Sequence, residues 1–166
     1  MKRKTYYYFS YGSNNLQQLA DRVKHVGEFE HEPGFIRNHI RIFSGYSGRW
    51  DGAVASFYPA KNKTLDGVAV KLTEKELKEL DKYEGGYTRI RKKVYIASKP
   101  DSYVIAYIYL KDNQVFNKMP SVAYLEAIHK NIAKDIIPIY GVLKNSNKPE
   151  KQAVWKKGQG IVADSQ

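Results

Sequence analysis

Thr5-Tyr6-Tyr7-Tyr8-Phe9-Ser10-Tyr11-Gly12-Ser13-Asn14-Asn15-Leu16 decides how this chain is read. From Thr5 to Tyr11 the residues are almost all aromatic, with strong β preference. Both faces of that strand are aromatic, so it is expected to be central and covered on both sides. Gly12-Ser13-Asn14-Asn15 breaks it. Leu16, Leu19 and Val23 then recur at helical spacing, with Asn14 or Asn15 as the N-cap. A strand, a tight polar loop and a helix start leave backbone N–H groups without partners. Such a loop holds a carboxylate or phosphate without a charged side chain, or a developing oxyanion. A plain N-capped helix after a strand is the simpler account of the same residues.

Outward from that stretch, residues 35–44, 53–58 and 65–72 read as three strands separated by Gly-rich or Asn/Lys-rich turns. Thr73-Glu74-Lys75-Glu76 fits a capping box, with Leu72 and Leu77 as its hydrophobic staple. That short helix carries Leu77, Leu80 and Glu84 on one face, and Gly85-Gly86 stops it. Residues 87–97 alternate, Pro100-Asp101 makes a turn, and residues 102–110 form a nearly all-apolar strand. Ser121 caps a helix bearing Leu125, Ile128 and Ile132. The expected fold is α+β, a small closed or nearly closed mixed β-barrel with two or three flanking helices. The expected division is a domain over residues 1–144 and a loosely held, basic, polar tail over residues 145–166.

A chain of 166 residues with 42% hydrophobic and 13% aromatic residues can bury a core as one domain. There is no cysteine, which excludes disulfides and thiolate–metal sites. Met1-Lys2-Arg3-Lys4 leads into the Tyr-rich strand and not into an apolar signal core, and no apolar run reaches membrane-spanning length. A cytoplasmic location and no membrane partner are expected. The net charge of +11, from 28 Lys+Arg against 17 Asp+Glu, is spread along the chain. It suits attraction of a small anion, and nucleic acid is not an expected partner. His25, His31, His39 and His129 lack metal-ligand spacing, and phosphate-loop and dinucleotide patterns are missing, so neither metal nor cofactor is expected. Gly45-Tyr46-Ser47-Gly48 does not have nucleophile-elbow spacing.

Glu84 is the most informative single residue. It shares the apolar face of Leu77 and Leu80 and stands at the C-terminal end of its helix, where the macrodipole disfavours an anion. Both effects raise a carboxyl pKa toward the range that serves proton transfer near neutral pH. An ion pair with Arg89 or Arg91 is the competing account.

These residues carry a family likeness. Tyr8-Phe9-Ser10-Tyr11-Gly12-Ser13-Asn14 resembles the opening motif of the γ-glutamylcyclotransferase-like (AIG2-like) superfamily. Trp50-Asp51-Gly52-Ala53-Val54-Ala55 and Leu65-Asp66-Gly67-Val68 resemble its next two segments. Leu80-Asp81-Lys82-Tyr83-Glu84-Gly85, followed by Tyr87-Thr88-Arg89, is similar to its Glu-Gly segment. Pro120-Ser121-Val122-Ala123-Tyr124-Leu125 is similar to its Pro-Ser segment, and Pro138-Ile139-Tyr140 is a weaker echo. The resemblance implies release of 5-oxoproline and a free amine from a small anionic γ-glutamyl substrate, without metal or cofactor. It implies Glu84 as the acid–base group and Tyr11, Gly12, Ser13, Asn14 and Tyr124 around the substrate. Two alternatives stand beside it. One is the same reaction on an uncommon amine such as γ-glutamyl-lysine or an antibiotic intermediate. The other is a non-catalytic basic binding module.

Overall fold

The aromatic run forms β1 (Thr5–Ser10), and its side chains divide by the two-residue period of a strand. Phe9, with Tyr11 just beyond, enters one apolar cluster, while Tyr8 enters another on the opposite face. The computed structural model describes residues 3–112, 118–142 and 148–163. β1 is central, antiparallel to β3 (Gly52–Thr73) and parallel to β5 (Lys99–Lys111). With β2 (His31–Ser47) and β4 (Tyr87–Ile96) they close a barrel in the order β1-β3-β2-β4-β5. One parallel pair among antiparallel pairs makes it mixed. Three helices flank it: α1 (Leu16–Val23), α2 (Glu74–Asp81) and α3 (Val122–Ile132). This is the α+β barrel expected from the sequence.

The caps follow the sequence signals. The Asn15 side chain accepts from Gln18 N–H, so Asn15 is the N-cap of α1 and the Asn14 side chain is left for other work. The Thr73–Glu76 capping box is complete, and Leu72 and Leu77 pack in the cluster beneath α1 and α2. Ser121 caps α3 through Tyr124 N–H.

Three expectations fail. Residues 53–58 and 65–72 belong to one strand, β3, paired along most of its length with β2. The Asn/Lys-rich stretch between them makes a matched kink. Asn38 and Asn62 both adopt positive φ, and Asn62 N–H donates to Asn38 Oδ1 at 3.1 Å. Pro100 and Asp101 lie within β5, and the chain reverses at residues 97–98 instead. The polar tail is not loosely held. β6 (Ile136–Val142), β7 (Pro149–Lys156) and β8 (Gly160–Val162) form a second sheet. Ile137, Ile139 and Trp155 join Leu125 and Ile128 of α3 in the main core. Each such buried side chain is worth about 1.5–3 kcal/mol. The expected domain boundary at residue 144 lies outside the described residues. No helix among the described residues is long and apolar enough to cross a membrane.

Candidate active site

The loop after β1 is pinned from behind. Asn131 of α3 places its Nδ2 3.1 Å from Ser10 O and 3.0 Å from Gly12 O. Buried Arg41 donates its Nε–H to Tyr11 O at 2.8 Å. Asn15 N–H donates to Ser13 O, and Ser10 Oγ donates to Asn14 O. Every carbonyl from residue 10 to 14 is thereby occupied. The N–H groups of Gly12 and Ser13 make no hydrogen bond among the described residues, and both residues line a cavity of about 300 Å³. A loop with its acceptors engaged and its donors left over is a site for an anion. Neither Arg41 nor Asn131 figured in the sequence reading, since nothing in the pattern ties residues 30 or 120 positions away to the loop.

Glu84 stands across the same cavity. It does not lie on the apolar face of α2. That helix ends at Asp81, capped by Lys82, and Glu84 occupies the turn beyond, its N–H donating to Asp81 O at 3.2 Å. The helix therefore stops before Gly85-Gly86 and not because of them. Its burial comes from another source: only 11% of the side chain is exposed, against Asn14 and Arg22. The expected pairing with Arg89 or Arg91 is not made. Arg89 Nε lies 3.4 Å from Asp81 Oδ1, whereas the cation nearest Glu84 is Arg22, 4.0 Å from Oε1.

Asn14 organises this carboxylate. Its Nδ2 donates to Glu84 Oε1 at 3.0 Å and to Tyr8 Oη at 2.9 Å. Its Oδ1 accepts from Gln18 Nε2 at 2.9 Å and from an Arg22 guanidinium nitrogen at 2.8 Å. A guanidinium can only donate, so Arg22 fixes which end of the Asn14 amide meets Glu84. Glu84 Oε2 has no partner among the described residues and is not sealed from the cavity. Burial pushes the Glu84 carboxyl up to about 7, against the opposing pull of the Asn14 hydrogen bond and of the Arg22 charge.

The remaining predicted residues also line the cavity. Tyr11 Oη donates to Tyr109 O at 2.6 Å, and Tyr124 Oη accepts Ala55 N–H at 2.8 Å. Tyr87 Oη donates to Ala55 O at 2.7 Å. Burial raises all three hydroxyls well above the usual phenol range, so they stay neutral. Tyr8, Arg22 and Tyr87 were not singled out from the sequence. Tyr8 was read only as part of the aromatic strand, and Arg22 carries no local signal of its own. The four histidines stand apart: His25 pairs with Glu76, and the others bond backbone carbonyls. No group of three His, Cys, Asp or Glu side chains stands together among the described residues.

The closed mixed barrel sets a donor-rich loop and one buried carboxylate across one cavity, of a size that suits a small molecule. Residues 8–126 match the family described as Gamma-glutamyl cyclotransferase, AIG2-like, and the chain belongs to that family. Among solved structures it is similar to one described as a gamma-glutamyl cyclotransferase, with 23% identity, 75% of this chain and 76% of that one covered, and a TM-score of 0.64. An uncharacterized protein from Homo sapiens gives 24% identity, 77% and 78% coverage, and a TM-score of 0.65. A protein from Arabidopsis thaliana gives 16% identity, 68% and 65% coverage, and a TM-score of 0.55. At these identities the structural likeness speaks for the fold. Comparison with curated proteins finds no match.

Proposed function

We propose that this chain is a γ-glutamyl cyclotransferase, releasing 5-oxoproline and a free amine from a γ-glutamyl amide, with Glu84 as the acid–base group. The observation that carries the reading is the pairing, across one cavity, of the free Glu84 Oε2 with the unengaged N–H groups of Gly12 and Ser13. The loop holds the α-carboxylate of the γ-glutamyl part. That leaves the α-ammonium near Glu84, which takes a proton from it. The freed amine attacks its own γ-carbonyl carbon and closes a five-membered ring, a step for which the substrate supplies much of the proximity advantage. Protonated Glu84 then returns the proton to the leaving nitrogen as the amide C–N bond breaks. The ring nitrogen still carries one proton more than the lactam keeps; Glu84, ionised again, takes it and passes it to the departing amine, so two protons move in turn from the α-nitrogen to the amine, which leaves as an ammonium.

A carboxyl held at about 7 suits both steps, since it accepts and donates near neutral pH with little bias. The neutral tyrosines wall the ring-closing space and keep out competing charge. The deciding experiment measures 5-oxoproline release from a panel of γ-glutamyl amides by wild-type protein and Glu84→Gln. Release by wild type and none by the variant supports the reading. No release from any member of the panel ends it.

A further inference from the structure

The loop and Glu84 account for part of the cavity, but its lining also carries charge that the reaction does not use. Three cations line the cavity, Arg22, Arg49 and Lys111, against one carboxylate, Glu84. Arg22 is engaged by Asn14 and Glu84. Arg49 and Lys111 make no ion pair among the described residues, and each stands over an aromatic ring. Arg49 lies 5.8 Å from the Trp50 centroid and Lys111 Nζ 5.1 Å from that of Tyr87. Both are close enough for their fields to reach the centre. Burial lowers the Arg22 pKa, with Arg49 the next cause, and Lys111 is among the charges that favour ionised Glu84.

The position of Lys111 is built into the backbone. A Cβ on Gly45 would stand 3.1 Å from Lys111 Cε, and one on Gly86 would stand 2.9 Å from Lys111 Nζ. Both glycines have positive φ, which disfavours any side chain there. The two bare positions leave a passage along which the lysine chain runs, bringing its ammonium over the turn that carries Glu84. The acids nearby are committed elsewhere. Asp51 accepts from Tyr46 Oη at 2.8 Å, Asp81 is held by Tyr109 Oη and Arg89, and Asp112 by Thr88.

A bound γ-glutamyl group brings one carboxylate and one ammonium, so it leaves this excess uncompensated. The rest of the substrate has to meet it. We infer that Arg49 and Lys111 select the leaving amine, favouring one that carries a carboxylate, such as an amino acid or short peptide joined through its α-amine, and rejecting cationic amines. This rests on the cyclotransferase reading above. Tyr46, Trp50 and Tyr83, which also line the cavity, offer the leaving group aromatic walls.

The test uses three substrates of matched size: γ-glutamyl-alanine, its neutral γ-glutamyl-alaninamide, and the cationic γ-glutamyl-ethylenediamine. The readout is kcat/KM for 5-oxoproline release. The expected order is anionic above neutral above cationic, with about tenfold or more between the first two, the scale of a hydrogen bond to a charged group. Arg49→Glu and Lys111→Glu should each narrow that ratio, and together should reverse it. Thermal melts establish that each variant is folded, and the wild-type series stands without them. Equal rates on all three substrates, or a faster cationic substrate, would overturn the selection while leaving the cyclotransferase reading intact. Release from none of the three would overturn both.

Discussion

Asn14 Nδ2 donates to Glu84 Oε1 at 3.0 Å, and this contact joins the loop after β1 to the turn after α2 across 70 residues of sequence. It leaves Oε2 without a partner among the described residues and sets the carboxylate across the cavity from the Gly12 and Ser13 N–H groups. The two halves of the site are therefore one object. A change that moves the loop also moves the Glu84 carboxylate.

Glu84→Gln should remove turnover and stabilise the fold at neutral pH. Gln keeps the shape and can still meet Asn14, but it cannot cycle a proton, so 5-oxoproline release should fall by at least about 100-fold. The stability effect follows from the raised pKa. Below the ordinary value of 4.5 the carboxyl is protonated in both folded and unfolded states and nothing is lost. As pH rises from there through about 7, the unfolded carboxyl ionises first and the folded state loses relative stability. Above that window the loss is complete, on the order of 3 kcal/mol. Thermal melts of wild type and variant should coincide near pH 4 and separate by pH 8, with the variant higher. A variant less stable at pH 8 would show that Glu84 is held mainly by its ionised partners.

Arg22→Met should shift the pH dependence of turnover. In free enzyme Glu84 must be ionised to accept the ammonium proton, so kcat/KM should rise on an acid limb near pH 7. Arg22 pulls that value down and fixes the Asn14 amide. Without its charge the limb should move to higher pH and kcat should fall. Arg22→Lys should restore part of the limb. An unchanged profile with a lower melting temperature would make Arg22 a packing residue.

Gly12→Ala should be tolerated and Gly12→Val should not. A Cβ at Gly12 would sit 3.5 Å from Ala55 Cβ and from Tyr124 Oη, an ordinary contact. The extra methyls of Val would press on Tyr124 and push the loop outward, taking its N–H groups away from an anion. Calorimetric titration with 5-oxoproline should give near-wild-type affinity for the Ala variant and a loss of about tenfold or more for Val. Equal affinities would place the carboxylate elsewhere.

The strand–loop–helix opening was legible because each piece has a local cause: aromatic β preference, a Gly-polar break, an Asn cap. The capping box before α2 and the Ser121 cap before α3 were legible for the same reason. The kink in β3 was not, because Asn62 in a left-handed conformation has the same sequence signature as a turn. Trp155 was hidden in a polar, Lys-rich segment, where Ala153, Val154 and Trp155 are buried in succession and no strand alternation marks them. Glu84 and the Gly12–Asn14 loop were singled out from the sequence and line one cavity, but the cause of the Glu84 burial was assigned to the wrong element. Arg22, Lys111 and Asn131 meet residues distant in sequence, Glu84, Tyr87 and the loop after β1, which no local pattern records.

The basic charge should steer small anions and not grip nucleic acid. On β4, Arg89, Arg91 and Lys93 share one face, as strand alternation requires. Several cations on that side are already occupied. Arg89 pairs with Asp81 and covers Tyr107 at 4.7 Å, Lys93 covers Tyr103 at 4.9 Å, and Arg37 covers Tyr95 at 3.8 Å. Rings capped by the protein's own cations are poor platforms for stacking bases. Arg49 and Lys111, which make no ion pair among the described residues, are at the cavity. Added salt should therefore lower kcat/KM for an anionic γ-glutamyl substrate moderately, by screening its approach. Mixed-sequence single-stranded RNA, titrated at two salt concentrations, should show weak binding. Sub-micromolar affinity at physiological salt, with a log–log slope reporting several released counterions, would overturn this and favour a nucleic-acid-binding role for the β4–β5 face.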